Sequence, residues 1–181
     1  MKRFVLFFFW LIACFAAPHE ESPLMAPARA GDTAELRRLV ANGADPNERG
    51  GVNDWTPLMH AIHKNQIGSV EALLDLHANP NATSGGGETS LMMAAGYGQT
   101  AIVRLLLKRG ADPRITDRDG ETALDYALAG TADIDDFTFF TCQDSTVRAL
   151  LAGGAPPRAS LAAFRAVRVK MCESRKLVAV R

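Results

Sequence analysis

Apolar residues recur in short bursts at helical spacing. Leu58, Ala61 and Ile62 stand at i, i+3 and i+4, and so do Leu91, Ala94 and Ala95, the stripe of a helix with one buried face. A second burst follows each, Val70, Leu73 and Leu74 in one case and Val103, Leu106 and Leu107 in the other. These second helices stop at His77 and at Gly110. Glycine there takes the left-handed conformation that closes a helix, and Pro113 keeps the helix from resuming. Asp119 and Gly120 next supply the tight turn of a hairpin loop. The predicted unit is therefore two short helices and a hairpin.

The unit repeats. Thr56, Thr89 and Thr122 follow one another at intervals of 33 residues. They open the segments Thr56-Pro57-Leu58-Met59-His60-Ala61, Thr89-Ser90-Leu91-Met92-Met93-Ala94 and Thr122-Ala123-Leu124-Asp125-Tyr126-Ala127. A second signature moves in step: Gly43-Ala44-Asp45-Pro46, His77-Ala78-Asn79-Pro80, Gly110-Ala111-Asp112-Pro113 and the degenerate Gly154-Ala155-Pro156-Pro157. Self-similarity at this length marks a stacked solenoid, in which each unit buries its apolar face only against its neighbours. Two intervals depart from the period. Gly43 to His77 is 34 residues, which puts one extra residue in the loop of Gly50, Gly51 and Val52. Gly110 to Gly154 is 44, an insertion of about 11 residues between the helices of the last unit that carries Asp133, Asp135, Asp136, Phe137, Phe139, Phe140 and Cys142.

Thr-Pro-Leu at the start of a unit and Gly-Ala-Asp at its end resemble the ankyrin repeat, over roughly Leu24 to Pro157. The resemblance implies an all-α solenoid of paired antiparallel helices with hairpin loops, about four repeats including an irregular N-terminal one. Where the family carries histidine after Thr-Pro-Leu this chain has Met59, Met92 or Asp125, so the threonine-to-histidine hydrogen bond of the turn is expected to be missing. The family presents partners with its hairpin tips and the exposed edge of its first helices. Carried onto this chain, that surface is Val52, Asn53, Trp55, His63, Lys64, Glu88, Tyr97, Arg118, Asp119 and Glu121. Trp55 and Tyr97 stand out there, because large aromatics with a polar edge favour binding hot spots. Packing of Trp55 over a neighbouring loop is the competing reading.

Outside the repeats the chain changes character. Lys2 and Arg3 precede nine apolar residues, Phe4 to Ile12, and then the small residues Ala13, Cys14, Ala16 and Ala17 around Phe15. Basic, apolar, then small is the order of a secretory signal peptide, and the apolar run falls short of the roughly 20 residues that span a bilayer. We read residues 1–16 as the leader, 17–23 as a linker, 24–157 as the repeat domain and 158–181 as a basic cap and tail, in an exported, periplasmic protein. Leu11-Ile12-Ala13-Cys14 also matches a lipobox, which would acylate Cys14 and make the protein a lipid-anchored structural protein of the inner or outer membrane; secretion is the remaining alternative to the periplasm. Export gives the remaining cysteines meaning, since Cys142 and Cys172 form an even pair for an oxidising compartment. With 29 residues between them a disulfide would contribute about 3–4 kcal/mol; two free thiols is the other reading. Ser160 to Met171 places Leu161, Phe164, Val167 and Met171 on one helical face, the cap a terminal repeat requires. Phe137, Phe139 and Phe140 either pack beside it or form a partner patch.

Charge is segregated although the total is zero. Residues 158–181 carry a net +6 and residues 17–157 a net −8. A nucleic-acid role would need a basic face interleaved with aromatics, which the repeats lack. The sequence holds no phosphate loop, nucleophile elbow or zinc signature. His60 and His63, one turn apart, read as a polar helix edge rather than a metal site, and the run Gly85-Gly86-Gly87 as turn chemistry. The expectation is a non-catalytic, monomeric module without cofactor or small-molecule substrate. It binds another protein as adaptor, protective partner or inhibitor, and touches a membrane only if Cys14 is lipidated.

Overall fold

The computed structural model describes residues 22–51, 53–129 and 144–156. Among them eight helices form four pairs: α1 (Met25–Ala30) with α2 (Thr33–Ala41), α3 (Pro57–His63) with α4 (Ile67–Asp75), α5 (Ser90–Gly96) with α6 (Thr100–Lys108), and α7 (Ala123–Ala129) with α8 (Asp144–Ala152). Each first helix packs on the first helix of the next pair and each second helix on the next second helix, giving two layers. Among the described residues no strand forms. Consecutive pairs are joined by hairpin loops, each closed by one antiparallel pairing: Gly50 with Trp55, Thr83 with Thr89, Thr116 with Thr122. The all-α solenoid of helix hairpins is thus the architecture. The leader with Cys14, the loop residue Val52, the insertion with Phe137, Phe139, Phe140 and Cys142, and the tail with Cys172 and the expected capping helix lie outside the described residues.

The layers differ in burial. In α3 every residue from Pro57 to Ile62 is buried, and in α5 every residue from Ser90 to Gly96. The second helices bury one face only, Ile102, Val103 and Leu106 in α6. First helices lie between two neighbouring first helices and their own partner, which is why they are short and rich in Ala. The sequence reading of His60 as part of a polar edge is corrected by this: the ring is only 8 % exposed, held inside because α3 is covered on both sides.

The turns between elements obey the same register. Left-handed backbone recurs at Gly43, His77, Gly110 and Gly154, after each second helix, and at Gly31, Asn65 and Gly98 between the helices of a pair. Register, rather than residue type, sets the conformation. Thr56 and Thr89 cap α3 and α5, each hydroxyl accepting from the N–H three residues on, at 3.3 Å from Met59 N and Met92 N. Ser22 is buried and holds in the first unit the position Thr56 holds in the second, inside the segment read from sequence as linker. One expectation needs correcting at the third turn. There the Asp125 carboxylate accepts both the Thr122 N–H and the Thr122 hydroxyl at 2.7 Å, so an aspartate supplies the bond that histidine was expected to leave missing.

The loops are also stitched unit to unit. Asn47 Oδ1 accepts from Asn79 N at 2.6 Å while its Nδ2 donates to His77 O. Asn81 repeats the device one unit on, to Asp112 N at 2.8 Å and Gly110 O at 3.1 Å. At the next step the position belongs to Arg114, which turns back onto Asp112. The N–H it would have met is absent as well, because Pro156 stands in the register of Asn79 and Asp112.

Candidate functional site

The hairpin tips converge on a groove. The bond from Gly50 N–H to Trp55 O brackets residues 51–54, whereas Ser84 N–H to Glu88 O and Asp117 N–H to Glu121 O bracket only 85–87 and 118–120, which locates the extra residue in the first tip. Within the second and third tips the turn is held by a side-chain acceptor. Ser84 Oγ accepts the N–H of Gly86 and of Glu88, and Asp117 Oδ1 accepts those of Asp119 and Glu121. The tips then bond to each other, Gly85 N–H to Asn53 O at 3.0 Å and Arg118 N–H to Gly86 O at 3.4 Å. Gly87 sits at φ 92°, and a Cβ there would lie 3.1 Å from Arg118 N, so this glycine is required by both conformation and space.

Across this platform runs an open groove of about 520 Å³ lined by Asn53, Trp55, Gly85, Gly86, Glu88, Asp117, Asp119 and Tyr126. Its wall is aromatic at one end. The half-buried Trp55 ring stands 5.4 Å from His60 and 5.3 Å from His63, centroid to centroid. His63 continues the row, its Nδ1 3.0 Å from the Tyr97 hydroxyl. At the other end Tyr126 donates to Asp117 Oδ2 at 2.8 Å and faces Glu88 Oε1 at 3.3 Å. Among the described residues Glu88, Asp117 and Asp119 form no ion pair, whereas Arg38, Arg49, Arg109 and Arg114 each pair elsewhere.

The electrostatics follow from this placement. Burial raises the Tyr126 phenol far above its usual range, and the bond to Asp117 and the charge of Glu88 push the same way. Burial also raises the Asp117 carboxyl, but the Glu121 N–H, the Tyr126 hydroxyl and the N–H groups of Asp119 and Gly120 outweigh it and leave the group below the ordinary carboxylate range. Tyr126 therefore stays a donor and Asp117 stays charged at neutral pH.

Of the residues expected at a binding surface, the structure brings Asn53, Trp55, Glu88 and Asp119 into one groove. It joins His63 and Tyr97 to Trp55 as a packed row behind it, and leaves Lys64, Arg118 and Glu121 exposed outside the groove lining. Val52 lies outside the described residues. Trp55 and Tyr97 both pack against the core, so each serves surface and interior together. Asp117 and Tyr126 were missed. Asp117 had a signal, since it precedes Asp119-Gly120 as the turn's side-chain acceptor; Tyr126 reaches Glu88 across 38 residues, and no local pattern announces that.

Known proteins place the chain. Residues 6–84 match a family model described as ankyrin repeats (3 copies), and residues 73–127 a second, described as ankyrin repeats (many copies). Over 75 residues the chain is 31% identical to the 2-5A-dependent ribonuclease of Mus musculus, a stretch that is 41% of this chain and 10% of that protein. The chain thus spans about a tenth of the length of this curated relative.

Proposed function

We propose, from the premise that this chain belongs to the ankyrin-repeat family, that it is a non-catalytic module whose protein partner lies across the hairpin tips. Ankyrin repeats generally mediate protein–protein interaction, and the repeats are where the ribonuclease match falls, so that protein's activity is not carried over. The observation that carries the reading is the groove itself. Three consecutive tips, bonded to one another, hold an aromatic wall and three carboxylates that have no cationic partner among the described residues, and preorganised surfaces of this kind bind with little ordering cost.

The finer reading is that the module works in the cell envelope as adaptor, protective partner or inhibitor. Its support is the basic-apolar-small order of residues 1–17; acylation of Cys14, anchoring the protein to a membrane, is the second reading on the same residues. The mass and N-terminal sequence of the protein from cells separate the two. A chain beginning at Ala17 supports export with cleavage, a lipid-modified Cys14 supports the anchor, and an intact Met1 contradicts both. For the module, affinity-tagged full chain is expected to purify with a stoichiometric protein. Asn53→Arg with Asp119→Arg, both exposed, should release that protein without changing the melting temperature. Undiminished recovery with this double variant would contradict the assignment.

A further inference from the structure

Gly86 lines the groove without a structural reason to be glycine. Its φ lies outside the left-handed region, and a Cβ there would sit at 3.6 Å from its nearest neighbours, Glu88 Oε2 and Ser84 Oγ, an ordinary contact. Its neighbour Gly87 is demanded by the fold; Gly86 is not. What a side chain at 86 would do is stand in the groove, and its absence keeps open the space between Trp55 at one end and Asp117, Asp119 and Tyr126 at the other. Around that space the charge has one sign. No Lys, Arg or His lines it, and its carboxylates have no cationic partner among the described residues, in a segment, 17–157, that is net −8.

An open, bare-floored slot with an indole wall and carboxylates that lack a cationic partner among the described residues matches one side chain above others. A guanidinium is planar, stacks on an aromatic face, and donates in a fork that two carboxylate oxygens can accept. An ammonium satisfies the charge but neither the stacking nor the fork. We propose that the groove bounded by Trp55, Gly86, Glu88 and Asp119 receives an arginine side chain from an extended segment of the partner protein. This rests on the protein-binding reading above and names the chemistry of the contact. Asp119 and the remaining lone pairs of Glu88, whose Oε2 already accepts the Ser84 hydroxyl at 3.0 Å, accept from the guanidinium, Trp55 stacks on it, and Tyr126 holds the Asp117 carboxylate at 2.8 Å.

The test titrates full-length protein with a fluorescent, end-blocked heptapeptide of alternating glycine and arginine, beside the same peptide carrying citrulline, the uncharged isostere, or lysine. The arginine probe is expected to bind at least tenfold tighter than the citrulline probe and measurably tighter than the lysine probe, with affinity falling as salt rises. Glu88→Gln with Asp119→Asn is expected to lose that tenfold. Gly86→Gln, which fills the slot without touching its charge, should do the same with an unchanged melting curve. Glu71→Gln, on the exposed face of α4, should bind as the parent does. Equal binding of the citrulline probe, full binding by Gly86→Gln, or an equal loss with Glu71→Gln would each overturn the proposal. If binding appears only after Arg165, Arg168 and Lys170 are replaced by Gln, the occupant is the chain's own C-terminal segment, and the partner assignment falls. Failure of the probe while a partner still purifies and is released by the Asn53 and Asp119 variants sinks the arginine contact and leaves the protein-binding reading standing.

Discussion

Asn81 shows how much of the stacking rests on single side chains. Its amide satisfies Asp112 N–H and Gly110 O at once. Asn81→Ala is expected to cost about 0.5–1.5 kcal/mol, mainly through the part-buried bond to Asp112 N–H, read as a shift in the urea midpoint. Arg114→Ala, one unit on, removes only an exposed pair with Asp112 and should leave the midpoint nearly unchanged. His77 is a second such position. It holds φ 66° where Gly43, Gly110 and Gly154 hold the same conformation freely, so His77→Gly is expected to gain about 1 kcal/mol by releasing left-handed strain, measurable in the same denaturation series. These positions mark what the sequence could and could not show. The Thr56 and Thr89 caps were legible because residue type and role coincide. Asp54, Asn65 and His77 hide their left-handed backbone behind side chains that do not announce it, and only the 33-residue register exposes them. Ser22-Pro23-Leu24-Met25 against Thr56-Pro57-Leu58-Met59 was legible too, but its conservative serine was overlooked.

The hairpin tips are the element that turns stacking into a surface. Helix patterning placed them correctly, yet it said nothing of the bonds from tip to tip, which run between backbones and depend on no side-chain pattern. Gly87→Ala should therefore cost more than a surface glycine does, since a Cβ meets Arg118 N; loss of the groove would appear as weaker binding as well as lower stability. Asp117 gives the tips a pH dependence. Its folded value lies below the ordinary one because its carboxylate is bonded by the turn and by Tyr126. The stability it contributes is then fully present above the unfolded value of about 3.9 and is lost as pH falls through the lower folded value. The difference in urea midpoint between parent and Asp117→Asn is expected to be constant from neutral pH down to about 4 and to shrink below it. A difference that grows on acidification would show that the carboxylate is not held in its charged form.

Over the whole molecule the stack is uneven. Asn47 and Asn81 tie the first three pairs through their loops, while the fourth joins through α5 against α7, through α6 against α8, and through the Thr100 hydroxyl, 2.7 Å from Thr146 Oγ1 and 2.9 Å from Ser145 Oγ. Solenoid stability is a sum of unit and neighbour terms, so amides of α8 are expected to exchange with deuterium before those of α4 and α6. Uniform exchange across the second helices would mean the missing loop bridge carries no weight. The groove reaches from the first hairpin tip to Tyr126 on α7 of the fourth pair, so the bonds from tip to tip are what the binding account needs. That account is tested most directly by a photocrosslinking residue placed in the full chain at position 53, 119 or 71 and irradiated in cells. Discrete adducts with one protein from positions 53 and 119, and none from position 71 on α4, are the predicted result. Adducts from position 71 with silence at the tips would contradict it.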